Sequence, residues 1–191
     1  MTFTKTDISD VVIIKPKVHG DERGYFMETF RTDKLEEFLG YKINFTQDNE
    51  SKSSLGVLRG LHYQLPPNAQ TKLVRVIQGR VLDVAVDIRK NSPTFGRHVA
   101  VELSSDNKKQ LLVPRGFAHG FVVLENDTVF AYKVDGYYSA NSDRGIAFDD
   151  KALGIDWIVP KKKLILSDKD KKQPTLLQTN DLFEYGINYY E

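Results

Sequence analysis

Val81-Leu82-Asp83-Val84-Ala85-Val86-Asp87-Ile88 is the stretch that decides the fold class. Leu82, Val84, Val86 and Ile88 fall on one side of an extended chain, with Asp83, Ala85 and Asp87 on the other. A period of two with β-branched residues is the pattern of a strand, because successive side chains point to opposite faces. Working outward, strand-like segments recur at Val11–Ile14, Gly24–Phe30, Ile43–Asn49, Val57–Gln64 and Thr71–Ile77. They continue at Val99–Leu103, Gln110–Val113, Ala118–Leu124 and Thr128–Val134. Gly79, Asn91-Ser92-Pro93, Asp106-Asn107 and Asn126-Asp127 supply turns between them. One helix is predicted near residues 32–40, with Thr32 or Asp33 as its cap, Leu35, Phe38 and Leu39 as its apolar side, and Gly40 at its end. Asp149–Leu153 and the stretch after Ser167 read as short helices or turns. The expectation is a mainly all-β chain, a cupin-like jelly-roll β-barrel with a few short helices.

At 191 residues the chain suits one domain better than two. The reading is a single domain over 1–191, with a jelly-roll core at about 10–135 and a helical or loop segment at about 149–191. The 27 basic and 26 acidic side chains leave a net charge of +1, so nothing global points to nucleic acid or a membrane. The basic runs Lys161–Lys163 and Lys169–Lys172 read as solvated surface, with Lys169 a candidate exception. There is no cysteine, which excludes disulfides, thiolate metal sites and thiol nucleophiles. Met1–Asp10 has no apolar run, so no secretory leader is expected and the cytoplasm is the expected location.

Several strands carry polar residues where alternation places apolar ones. Glu28 shares a face with Phe26 and Phe30, and Gln47 and Asn49 with Ile43 and Phe45. His62 lies on the side of Leu58, Lys72 on that of Val74 and Val76, and Tyr132 on that of Phe130 and Val134. Burying such groups is costly unless they are paired or line a wet pocket. Singly, each has a plain structural reading: a hydrogen-bonded core histidine, a core tyrosine with a satisfied hydroxyl, a glutamate paired with arginine. Lysine is the hardest to place that way, because it is almost never buried unpaired. Taken together, they predict an active site inside the barrel. An imidazole can remove a proton near neutral pH, an ammonium can stabilise an enolate oxygen, and a phenol can return a proton from another direction. That set suits epimerisation beside a carbonyl and needs no cofactor.

Strict alternation puts Arg59 and His62 on opposite faces of Val57–Gln64, a conflict that a bulge at Gly60 would remove. Arg23, in the turn Asp21-Glu22-Arg23-Gly24, could join Arg59 in holding a diphosphate. Metal binding is the rival expected of a cupin-like chain, but only four histidines exist: His19, His62, His98 and His119. Around His62 there is no His-x-His pair, and Pro114-Arg115-Gly116-Phe117-Ala118-His119 offers one imidazole, a thin ligand set. No metal is expected. No glycine-rich phosphate loop is present either.

These features occur within longer blocks. Gly20–Phe26, Gln47-Asp48-Asn49, Gly56–Gln64, Asp83–Arg89, Ser92–Gly96, Pro114–Phe121 and Leu166–Asp170 together resemble the dTDP-4-dehydrorhamnose 3,5-epimerases, in the family's order. The resemblance implies a metal-free, cofactor-independent isomerase of dTDP-L-rhamnose synthesis, acting as a homodimer on a dTDP-sugar. It implies inversion at C3 and C5 of dTDP-4-dehydro-6-deoxy-D-glucose, both carbons flanking the C4 ketone. By the same resemblance His62 is the base, Asp170 its orienting carboxylate, Tyr132 the acid and Lys72 the support for the enolate oxygen. Arg23, Glu28, Gln47, Asp48, Asn49, Arg59, His119, Asp143 and Lys169 match substrate-contact positions, and Tyr138 matches a residue stacking on thymine. Arg23 or Glu28 is expected to act across the dimer. Two other readings stay open: a single-site epimerase or ketoisomerase of a related dTDP-4-ketosugar, and a non-catalytic sugar-nucleotide-binding barrel. The meeting of Asp170 with His62 separates catalysis from mere binding.

Overall fold

The computed structural model describes residues 1–190. In chain order its elements are β1 (Thr2–Lys5), β2 (Val12–Lys15), β3 (Val18–Asp21), β4 (Gly24–Met27), α1 (Thr32–Leu39), β5 (Gln47–Ser53), β6 (Leu58–Gln64) and β7 (Lys72–Gln78). There follow β8 (Arg80–Asp87), β9 (Arg89–Lys90), β10 (His98–Ser104), β11 (Gln110–Val113), β12 (Phe117–Val123), β13 (Thr128–Val134), β14 (Asp143–Gly145) and β15 (Phe183–Glu184). Short 3-10 turns form at Asp170–Lys172 and Leu176–Gln178.

Two sheets make a cupin-like jelly roll. One has the order β1-β2-β11-β7-β13-β5 and the other β10-β8-β12-β6-β14, with antiparallel pairing throughout both. Between them lies an apolar filling that includes Val74, Val76, Leu111, Phe121 and Phe130. The back of the five-stranded sheet is covered by the chain after Gly145: Leu82, Val84, Val86 and Ile88 pack with Ile146, Phe148, Trp157, Leu176 and Phe183. The back of the six-stranded sheet packs Val12, Ile14, Leu73 and Leu112 against Leu35 of α1 and Ile43. The oily side of β8 therefore faces away from the barrel interior. Its other side places Val81, Ala85 and Asp83 inside, and Asp83 is fully buried.

The expected strands form with small shifts of their ends, and four details differ from the sequence reading. The segment after Gly24 is a strand only to Met27, and its hairpin with β3 lies outside the apolar core, meeting the barrel through Tyr25 and Lys108, with Phe26 68% exposed. Alternation identifies a strand but not whether its apolar side is covered, so Glu28 does not project into a core. Residues 41–46 are not a strand; Ile43 and Phe45 pack beside α1, whereas Gln47 and Asn49 begin β5. The polar pair thus does not share their face. Arg31, extended and without a side-chain cap, precedes the helix in place of Thr32 or Asp33. Asp33 instead receives the Arg31 guanidinium at 2.6 Å. Gly40 does end the helix, left-handed at φ 78°, its N–H donating to Glu36 O.

The fourth difference settles the Arg59 conflict. Across β6 and β12, His119 pairs with His62 and Phe121 with Arg59, so Gly60 and Leu61 together face Gly120. This bulge adds one residue to β6. Arg59 and His62 then share the inner face, while Leu58 and Leu61 join the outer cluster, so Leu58 is not His62's neighbour in the core. Gly60 has φ +133°, and a Cβ there would sit 2.5 Å from Gly120 Cα and 2.9 Å from His119 O. Gly60→Ala should therefore cost at least about 1–3 kcal/mol from backbone conformation alone. Thermal melting of the variant is expected to fall by several degrees, together with activity, because the bulge sets the direction of His62. An unchanged melting temperature would contradict the tight contact.

Candidate active site

The bulged strand β6 delivers His62 to the open end of the barrel, where its side chain is 30% exposed. Its Nε2 lies 2.5 Å from Asp170 Oδ1, across 108 residues of sequence. The 3-10 turn that begins at Asp170 fixes the carboxylate: Ser167 Oγ donates to Oδ2 at 2.8 Å, and Asp170 N donates back to Ser167 Oγ at 3.1 Å. Asp170 is 4% exposed. Burial pushes its pKa up, but the hydrogen bonds from His62 and Ser167 outweigh that and hold it below the usual carboxylate value. An ionised, buried carboxylate on one imidazole nitrogen fixes the orientation of the ring, leaving Nδ1 to take a proton.

The facing wall comes from the six-stranded sheet. In β7, Lys72 points inward beside Val74 and Val76, and its ammonium donates to His62 O at 3.4 Å. Burial lowers its pKa to about 8, opposed by the charges of Asp83 and Asp143. In β13, Tyr132 lies one row deeper, paired with Val74 on one side and Asn49 on the other. Burial raises its phenol, so it stays protonated well into the alkaline range. Gln47, Asn49, His62, Lys72, Tyr132, Tyr138, Asp143 and Lys169 line one cavity of about 280 Å³. At its mouth, Asp143 accepts from Tyr138 OH at 3.1 Å and from Lys169 Nζ, and the Tyr138 ring is largely exposed.

Other expected residues sit elsewhere. His119 lies on the inner face behind His62, buried, its Nε2 3.0 Å from both Asp83 oxygens and its ring stacked near Phe130. Arg59 reaches along the inner face to Ser53 Oγ at 3.2 Å. Asp48 points to the back of the sheet, where Lys133 holds it at 2.8 Å. Arg23, paired with Asp21, and Glu28, paired with Arg31, belong to the exposed hairpin region and are not brought to the cavity within one chain. Among the described residues no three His, Asp or Glu side chains gather as a metal site. The two central histidines each face a single carboxylate.

Sequence reasoning missed three contributors. Gln64, on the same face as His62, is 5% exposed and anchors the mouth, accepting from Ser139 N at 2.6 Å and donating to Asn68 O at 2.7 Å. Gln70 lines the cavity and donates to Gly136 O. Asp83 was visible as a carboxylate inside a β-branched run, a signal of a buried partner. In chemical terms the cavity opposes an oriented imidazole on one sheet to a protonated phenol and a half-buried ammonium on the other.

Comparison with known proteins gives the same picture. A family profile described as dTDP-4-dehydrorhamnose 3,5-epimerase matches residues 5–178. The chain is 57% identical over 170 residues to the dTDP-4-dehydrorhamnose 3,5-epimerase of Shigella flexneri, covering 89% of this chain and 93% of that one. It superposes, with a TM-score of 0.93 and 47% identity over 97% of this chain and 99% of the other, on dTDP-6-deoxy-D-glucose-3,5-epimerase RmlC from Legionella pneumophila in complex with dTDP-4-keto-L-rhamnose. A more distant likeness, 31% identical with a TM-score of 0.85 over 91% of this chain and 87% of that one, is ChmJ, a 3'-monoepimerase from Streptomyces bikiniensis, in complex with dTDP-quinovose. With identity of this order along nearly the whole chain, and the imidazole–carboxylate pair assembled as the resemblance required, the chain belongs to the dTDP-4-dehydrorhamnose 3,5-epimerase family.

Proposed function

We propose that this chain inverts C3 and C5 of dTDP-4-dehydro-6-deoxy-D-glucose to give dTDP-4-dehydro-L-rhamnose, in dTDP-L-rhamnose synthesis. One observation carries the mechanism: His62 and Tyr132 stand on different sheets, facing each other across one cavity. A hydrogen on a carbon beside the C4 ketone is acidic because its C–H electrons can move into the ring as the carbonyl becomes an enolate. His62, oriented by Asp170, takes that proton at Nδ1. Lys72 supports the negative charge growing on the ketone oxygen, where a preplaced donor needs no reorganisation as the charge develops. Tyr132 returns a proton to the same carbon from the other side, the carbonyl re-forms, and the centre is inverted. The second carbon flanks the same ketone, so once the imidazolium has released its proton to solvent and the phenolate has taken one back, the same groups serve it in turn.

The nucleotide lies toward the mouth. The exposed ring of Tyr138 offers a flat face to thymine, while Lys169, Gln47, Asn49 and Asp143 surround the sugar and diphosphate, with Arg59 reaching toward the diphosphate along the inner face and His119 backing the wall behind His62. Arg23, Glu28 and Asp48 lie outside this chain's cavity, and the hairpin of β3 and β4 supports the reading that two of them act in a partner's. Val18, Tyr25 and Phe26 are exposed on it, an apolar arm suited to lying across a second copy. The active form on this reading is a cytoplasmic homodimer, and sedimentation should give twice the chain mass.

Incubation with dTDP-4-dehydro-6-deoxyglucose in D2O, followed by proton NMR, tests the reaction. Deuterium at both C3 and C5 of an L-configured product is the expected outcome. Label at C3 alone would mark a single-site epimerase like ChmJ, and no exchange would leave a binding barrel. A second prediction concerns pH. Lys72 must be charged to support the enolate, and burial favours its neutral form, so kcat should decline as pH rises through about 8. The Tyr132 phenol is not the cause in that range, since it is raised. A flat profile to pH 10 would rule out that role for the ammonium.

A further inference from the structure

Beyond Gln178 the chain leaves the stretch matched by the family profile, yet it is built into the barrel at two points. Phe183 is 2% exposed in the cluster behind the five-stranded sheet, and β15 pairs with β9. Seven residues later Tyr190 is inserted at the end of the six-stranded sheet. Its ring lies 4.8 Å from that of Tyr41 and 5.0 Å from the Arg115 guanidinium. Its hydroxyl is 2.9 Å from Thr71 Oγ1 and accepts from Arg115 N at 3.3 Å. Burial raises its pKa.

The place matters because three strands end there together. Val113, Lys72 and Val134 are register partners across β11, β7 and β13. The residues just beyond them are Arg115, Thr71 and Asp135, and all three are tied. Asp135 Oδ1 accepts from Thr71 N at 2.6 Å, and Oδ2 accepts from Arg115 Nε at 3.2 Å. Arg115 donates in turn to the carbonyl of Tyr189. Thr71 is fully buried and adjacent to Lys72, whose ammonium has one long hydrogen bond among the described residues, to His62 O. Asp135 follows Tyr132 by three residues on β13's exit. The side chain of Lys72 is thus placed largely by its backbone, and that backbone is held from behind by the tail.

We propose that Tyr190 is a positioning residue for the reaction: with Asp135 and Arg115 it clamps the ends of β7 and β13, keeping Lys72 in register with Tyr132. The inference rests on the epimerase reading above. Among the described residues the Tyr190 hydroxyl and ring meet Thr71, Arg115 and Tyr41, none of which lines the cavity, so its loss should leave binding intact and slow the chemical step. Displacements of an ångström at a reacting group can cost up to about 100-fold in rate; loss of one hydroxyl from this clamp should lower kcat about 3–10-fold.

The test is steady-state kinetics on dTDP-4-dehydro-6-deoxyglucose, below the melting temperature of every variant. Tyr190→Phe and Thr71→Val should each lower kcat to a similar extent at unchanged KM, and the double variant should be no slower than either. Thr71→Ser, which keeps the hydroxyl, should restore kcat. Tyr189→Phe, which removes a hydroxyl bonded within the tail at Glu184, should loosen the tail without lowering kcat. Should Tyr190→Phe fail to fold, the Thr71→Val and Thr71→Ser pair gives the same comparison. Normal kcat in both Tyr190→Phe and Thr71→Val would overturn the clamp, as would a rise in KM alone or an equal loss in Tyr189→Phe. A wild-type protein that turns over no substrate would instead strike down the functional reading, and the clamp with it.

Discussion

His62→Ala is expected to abolish incorporation of solvent deuterium into the sugar and to lower kcat by about 10²–10⁴-fold. That is about 3–5 kcal/mol of lost transition-state stabilisation. The loss is large because the other acceptors on that wall are engaged among the described residues: Asp170 is ionised but turned into its pair with the ring, Asp143 accepts from Tyr138 and Lys169 at the mouth, and His119 is buried behind His62 against Asp83. Asp170→Asn should be milder, since the imidazole remains while losing the carboxylate that orients it. The variant is expected to fold, because His62 lies at the cavity and not in the apolar filling. Circular dichroism checks the fold, and NMR in D2O reads the exchange. Full exchange in His62→Ala would show that another group is the base.

Tyr132→Phe should separate removal of the proton from its return. The phenol makes no hydrogen bond to the protein among the described residues, so the substitution removes only the donor, and the ring keeps its packing beside Phe130. With His62 and Lys72 still in place, the enolate forms and a deuteron can come back from the imidazole side. Exchange at one carbon is therefore expected to persist, whereas inversion slows by about 10²–10⁴-fold, the usual contribution of a positioned acid. Loss of exchange in step with inversion would place Tyr132 in the abstraction step and contradict the division of labour.

Much of this site was legible from residue spacing because a strand's period is short and rigid. Lys72 with Val74 and Val76, and Tyr132 with Phe130, sit on the inner faces that simple alternation assigns. Spacing could not carry His62 in the same way, since the extra residue at Gly60 reverses every side chain on one side of it. The glycine was the only local sign. Nor could alternation tell that the apolar face of β4 is uncovered, because exposure depends on what packs against a strand and not on the strand itself. Ile43 and Phe45 misled for a related reason: apolar residues beside a helix mimic the beginning of the next strand. The pairing of Asp170 with His62 spans 108 residues and leaves no periodic trace, so only the resemblance to a family foretold it. The Tyr190 clamp had no sequence signal at all, being made of single residues from four separate segments.

The geometry of proton transfer is most directly tested by a crystal structure of this protein with dTDP-4-dehydro-L-rhamnose or an unreactive dTDP-hexose bound. The account predicts the His62 imidazole on one face of the hexose, the Tyr132 hydroxyl on the other and the Lys72 ammonium within hydrogen-bond distance of the C4 oxygen. Imidazole and phenol lying against the same face would contradict it.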